Sequence, residues 1–237
     1  QPLPGGFVAV PQNDVAALEA LFEEQGDAIC GFMFECIQGE SGVHPCTPDY
    51  LARAAQLCRD HGALMLCDEV QTGVYRTGTP FAFQQFGIEV DIFSMAKGIA
   101  GGFPMGACAA RAHIAQAFAP GDHGSTFGGS NLAIAAASAT LEALAQEHIL
   151  ENVQTVGAYL RDALEALPFT NDVRGRGLMV ACDVVGEMSA PDIVSAGLGA
   201  GLLLNATGPA TLRFLPPLIC STADIDVLVK KLASIVK

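Results

Sequence analysis

Apolar residues come first in short unbroken blocks along this chain and later with helical spacing. Ala28–Cys36 (AICGFMFEC) and Ala63–Val70 (ALMLCDEV) are blocks of the first kind, bounded by turn signals. Such runs read as strands buried on both faces. Asp91–Ala96 (DIFSMA) and Met105–Ala110 (MGACAA) predict two more. Between the first two blocks lies TPDYLARAAQLCRDHG, with Thr47 as N-cap, Pro48 at the first helical position and Gly62 beyond the last. That punctuation predicts a helix. A strand–helix–strand order with buried strands predicts an α/β fold: a mostly parallel sheet with helices on both faces.

From Asn131 the texture changes. Residues 131–167 read as one or two amphipathic helices, followed by strand-like RGLMVACDVV, helix-like SAPDIVSAGLGAG, short apolar pieces at LLLN and TLRFLPPLI, and a terminal helix. Ser221 and Asp224 form a capping box for that last helix. The expected organisation is a large α/β domain over residues 1–130 and a smaller α+β domain over 131–237, joined by the long helical region. No internal repeat, low-complexity tract or flexible linker interrupts it.

Ligands of parallel sheets sit outside the carboxyl ends of the strands. Glu35, Asp68 and Lys97 all fall at predicted strand ends. That coincidence is the first indication of a site.

Composition narrows the classes. The chain has 237 residues, 51% of them hydrophobic, enough for one large core or two modest ones. Lys and Arg total 12 against 25 acids, for a net charge of -13. Nucleic acid and anionic membranes need a basic footprint, so neither is an expected partner, whereas a small anionic ligand held by local donors is compatible. The eight cysteines include no C-x-x-C pair and several lie inside apolar runs. They read as reduced core thiols of a cytoplasmic protein, with no metal site. No signal peptide or bilayer-spanning run is read. The first residue is Gln, which suggests a processed product or a piece of a longer chain.

An Asp-Glu pair after an apolar strand is also how an ATPase presents its magnesium-binding acid. That reading needs a G-x-x-x-x-G-K-[ST] loop, and the sequence has none. Lys97 follows a strand and precedes the glycine-rich GIAGGFPMG. A solvated cap is the ordinary explanation of such a lysine. In a chain so poor in basic residues, apolar surroundings instead suggest a desolvated amine that serves as a nucleophile. A buried aspartate and such a lysine together suit pyridoxal 5'-phosphate. The carboxylate would keep the pyridine nitrogen protonated, and the amine would bond to the cofactor's aldehyde carbon.

These residues carry a resemblance. FECIQGESGV, CDEVQTGVYRTG, MAKGIAGGFPMGA, HGSTFGG and LRFLPPL occur in the order and spacing of class III, PLP-dependent aminotransferases, most like those acting on acetylornithine and ornithine. It runs over essentially the whole chain. D-E-V-Q-T-G with a lysine 29 positions after the aspartate is its most specific part. The resemblance implies fold type I, transfer of a terminal amine to 2-oxoglutarate by a ping-pong route, and a homodimer with sites at its interface. Lys97 would hold the cofactor and shuttle the proton, Asp68 would pair with the pyridinium, and Gln71 would lie near the ring's phenolic oxygen. Ser125 and Thr126 would bind the phosphate of the cofactor held mainly by the other subunit. Arg213 would receive a substrate carboxylate, with Glu40 pairing with it as a gate, and Glu35 would support the site near Gln71.

The chain departs from the family pattern at Cys36 and Ser41, at Tyr75 where glycine is common, and in GGSN after Thr126. None removes a catalytic group, and Tyr75 would reshape the pocket mouth. The family's phosphate-cradling S-G-x-E-A-like loop, its ring-stacking aromatic and its arginine for the α-carboxylate cannot be placed in residues 1–30. The chain is therefore expected to lack the N-terminal part of its enzyme. Another ω-amine transaminase, an aminomutase, or a truncated non-catalytic chain keeping the fold remain alternatives.

Overall fold

A computed structural model describes residues 5–236. In chain order the elements are α1 (Val15–Gln25), β1 (Gly31–Phe34), the short β2 (Ile37–Gln38) and β3 (His44–Pro45), α2 (Pro48–His61), β4 (Leu64–Asp68), β5 (Ile92–Met95), β6 (Ala107–Ala110) and α3 (Ala112–Ala115). There follow α4 (Asn131–Gln146), α5 (Ile149–Glu165), β7 (Thr170–Arg176), β8 (Met179–Val184), α6 (Ala190–Gly199), β9 (Asn205–Ala206), β10 (Thr211–Phe214) and α7 (Thr222–Ile235).

The first sheet has the order β1-β4-β5-β6. β1, β4 and β5 are parallel, and β6 returns antiparallel to β5. α2 is bounded as its sequence dictates. Thr47 accepts a hydrogen bond from the Tyr50 N–H, and Gly62 closes the helix at φ 69°, a left-handed conformation that glycine adopts without a Cβ penalty. α1 and α2 cover one face of the sheet through a core that includes Leu18, Phe22, Leu51, Met65 and Cys67.

The strands are less enclosed than their composition suggests. In β4, Met65 and Cys67 are buried, while Leu64 and Leu66 on the other face are only half-buried. Met33 in β1 is 67% exposed. An apolar run records what a strand prefers to face, not whether both faces are covered within the same chain.

The second sheet, β7-β8-β10-β9, is antiparallel throughout. α5, α6 and α7 build the second core on it with Val180, Cys182, Leu212 and Phe214. Residues 131–167 form two helices, broken where His148 takes φ 54°. β7 has no apolar signature. It carries Asn171, Asp172 and two arginines, and it is bulged between Asn171 and Arg174. It is an edge strand whose side chains reach the first half of the chain: Arg174 Nε donates to the Gly42 carbonyl at 2.8 Å, and Arg176 lies over the Phe86 ring. Ser221 and Asp224 make their capping box at α7, and Ser189 and Asp192 make a second at α6. Among the described residues no helix is long and apolar enough to cross a membrane.

Candidate functional site

The carboxyl ends of β1, β4 and β5 bring the charged residues together. Asp68 is the last residue of β4 and is paired in register with Ser94 of β5. Its Oδ1 accepts from Ser94 Oγ and from the Val70 N–H, both at 2.9 Å. Its Oδ2 has no partner among the described residues. Glu69 points the other way and is 1% exposed. It accepts from Thr72 Oγ1 at 2.6 Å and from the Phe83 N–H at 2.9 Å. Strand alternation thus divides the two acids, one presented to the site and one holding the turn beneath it. Burial pushes the Glu69 carboxyl up despite those hydrogen bonds.

Lys97 follows β5 and opens a 3-10 turn, Lys97–Ala100. It takes φ 50°, a left-handed conformation that a non-glycine residue rarely holds. α4 packs on this turn, and its Ala137 shares a small buried cluster with Val74, Ile99 and Ala100. Contrary to the apolar surroundings read from sequence, Lys97 is exposed. The apolar residues around it bury their own side chains in that small cluster and leave the amine open to solvent.

Arg213 lies on β10, opposite Ala181 of β8 and Asn205 of β9. Its side chain is 9% exposed and meets the 75%-exposed Glu40 at 3.0 Å. Arg213 Nη1 also donates to the Gly39 carbonyl at 2.9 Å and to Gln71 Oε1 at 3.3 Å, while Nε donates to Asn205 Oδ1 at 2.9 Å. Gln71 Nε2 closes the ring by donating to Glu40 Oε1 at 2.7 Å. The Arg213 hydrogen bond holds the Glu40 carboxyl below the usual range. Gly39 is the pivot. Its N–H reaches Glu35 Oε2 at 3.4 Å, its carbonyl takes Arg213, and a Cβ there would collide with Gln71 Oε1 and crowd Met179.

Glu35 has no direct bond to Gln71; it reaches it through Gly39. Burial raises the Glu35 carboxyl, and Asp68 and Glu40 push it further while Lys97 opposes them. Those mutual influences place Glu35, Glu40, Asp68 and Lys97 in one electrostatic neighbourhood. Ser125 and Thr126 stand apart, in an exposed loop where Ser125 Oγ accepts from the Gly128 N–H. Tyr75 packs against the second core, at φ 65°. Sequence reasoning did not find Asn205 or Gly39. The side-chain chemistry of Asn205, directly after the apolar residues 202–204, carried no signal until β9 placed it beside Arg213.

The donor set suits pyridoxal phosphate. One carboxylate keeps an unpaired oxygen at a strand end, fit for a protonated ring nitrogen. A primary amine stands just past the adjacent parallel strand, on an exposed and strained turn. Among the described residues Cys36, Cys67 and Glu69 bring ligand-type atoms close together. The group is a hydrogen-bonded chain, with the thiols 3.8 Å apart and Cys67 bonded to Glu69.

Comparison with known proteins places this geometry. The profile of the family described as aminotransferase class-III matches residues 6–236. The acetylornithine aminotransferase of Caldanaerobacter subterraneus subsp. tengcongensis is 44% identical over 229 residues, 95% of this chain and 57% of that protein. That of Bacillus subtilis is 42% identical over 234 residues, 98% of this chain and 60% of its own. Among solved structures, the ornithine aminotransferase of Toxoplasma gondii superposes with a TM-score of 0.91 at 33% identity, over 99% of this chain and 57% of that one. The acetylornithine aminotransferase of Elizabethkingia anophelis gives 0.90 at 33%, over 98% and 60%. The chain therefore spans less than two thirds of the length of these relatives.

Proposed function

This chain belongs to the class III aminotransferase family, and from that premise we propose that it serves a pyridoxal-phosphate-dependent transfer of a terminal amino group from N-acetylornithine, ornithine or a similar ω-amine to 2-oxoglutarate. The observation that carries the reading is the placement of Asp68 at the end of β4 and Lys97 just past β5, with the Glu40–Arg213 pair tied to the β4 end through Gln71. Bound pyridoxal phosphate supplies an electron sink for the carbon that bears the amine. Asp68 Oδ2 holds the ring nitrogen's proton, and Ser94 and the Val70 N–H orient that carboxylate through Oδ1. Lys97 Nζ takes the proton from the substrate carbon, and its exposure leaves it free to move between partners. Arg213 receives a carboxylate of 2-oxoglutarate or glutamate, and Glu40 covers that cation when the donor is an amine. One pocket thereby serves two substrates of different charge, as a ping-pong route requires.

A homodimer completes the proposal. The Ser125–Thr126 hydroxyls do nothing for their own sheet, and Phe127 at 86% and Leu132 at 65% exposure leave an apolar surface beside them. Both features suit a loop that reaches a second copy and binds the phosphate held there.

Incubation with pyridoxal phosphate, reduction with borohydride and peptide mapping test the reading. A single pyridoxyl group on Lys97, with Lys230 and Lys231 unmodified, is the expected result. Labelling scattered over several lysines would sink it.

A further inference from the structure

We propose that Asn205 is a positioning residue that decides which edge of Arg213 meets a substrate carboxylate. The inference rests on the reading of Arg213 as the carboxylate receptor. A guanidinium can take a carboxylate in a fork on two edges, side-on through Nε and one terminal nitrogen, or end-on through both terminal nitrogens. Here the choice is made by β9. Asn205 and Arg213 are register partners on neighbouring strands, and Asn205 Oδ1 accepts the only Nε–H at 2.9 Å. The side-on edge is therefore occupied whether or not a substrate is present.

Nη1 is arranged differently. Of its three acceptors, the Gly39 carbonyl is backbone and stays in place, whereas Glu40 is on an exposed side chain that can withdraw. Nη2 has no partner among the described residues. Asn205 and the Gly39 carbonyl fix two corners of the guanidinium plane, and the free edge is the one running from Nη1 to Nη2. Departure of Glu40, and of Gln71 Oε1, which accepts from Nη1 at the longer 3.3 Å, opens that edge to an incoming carboxylate with no rotation of the arginine. Arg213 and Asn205 also line a cavity of 760 Å³ beside β10 and α7.

The role predicts a ligand effect separable from stability. Asn205→Leu removes the acceptor while keeping a side chain of similar size. Its affinity for glutarate, a dicarboxylate without the keto group, is expected to fall about tenfold by titration calorimetry, since a hydrogen bond to a charged group is lost. The Arg213 Nε–H, assigned in a ¹H–¹⁵N spectrum by its loss in Arg213→Lys, is expected to exchange faster with water in Asn205→Leu. In Asn205→Asp, which keeps an oxygen at the same place, it stays protected.

A lowered melting temperature with undiminished glutarate affinity in Asn205→Leu overturns the proposal, because a merely structural residue would behave that way. If Asn205→Leu does not fold, Asn205→Ala carries the test. It removes the same acceptor without adding bulk, so glutarate affinity is expected to fall by a similar factor, and an unchanged affinity overturns the proposal. Arg213→Ala separates the two levels. Glutarate binding that survives Arg213→Ala, or that is absent from the unmodified chain, defeats the receptor reading and this inference with it. Binding that needs Arg213 but not Asn205 defeats the inference alone.

Discussion

Arg213 and Glu40 stand 173 residues apart in the chain, and their side chains meet at 3.0 Å. The contact joins the antiparallel second sheet to the turn after β2, and Gln71 bonds both partners. It is the point where the two halves of the chain share one piece of chemistry.

Glu40→Gln is expected to tighten glutarate binding by about two- to fivefold, because an exposed ion pair of modest strength no longer competes for Arg213. Titration calorimetry against the unmodified chain reads this directly. Unchanged or weaker binding would mean that Glu40 does not gate the arginine.

Gly39→Ala is expected to destabilise the chain by about 1–3 kcal/mol, since its Cβ would overpack against Gln71 and Met179. Gln71 should then leave Glu40, so glutarate affinity changes along with the melting temperature. A variant with both values intact would show that the close approach has no role in the gate.

Glu69 gives the stability a pH dependence of definite sign. Burial raises its folded-state carboxyl above the unfolded value, so the native chain binds more protons between those two values. Stability therefore falls as pH climbs through that window, and Glu35, also raised by burial, adds the same sign. Urea titrations across the mildly acidic range should show a shallower decline in Glu69→Gln, with the part owed to Glu35 remaining. Glu69→Ala should cost about 2–4 kcal/mol through the unpaired Phe83 N–H and Thr72 hydroxyl.

The thiols should divide by burial. Cys30 and Cys108 are exposed and the other six are buried. Burial pushes Cys58 up to about 11 and Cys182 up to about 12, so neither offers thiolate near neutrality. A thiol reagent at pH 8 should titrate two groups fast and release the rest only in denaturant. Fast reaction of a third would place a buried cysteine on an open surface.

The sequence by itself determined the local elements and the residues at their ends. Thr47, Pro48 and Gly62 delimit α2 by chemistry within a few residues of one another, and the apolar blocks ending at Asp68 and before Lys97 mark β4 and β5. Side-chain types at those ends were enough to bring out the family resemblance. Tertiary structure alone decided what meets what. Gln71, expected beside a cofactor ring, bonds Glu40 and Arg213; Glu35 acts through Gly39; and Asn205 takes Arg213 Nε from a two-residue strand. β7 escaped a reading based on apolar alternation because an edge strand earns its place through cross-chain contacts such as Arg174 to Gly42. Lys97 proved exposed because its apolar neighbours bury one another. Capping and periodicity act over a few residues and are written locally. Pairings across 142 or 173 residues arise from how two sheets pack, which no short stretch encodes.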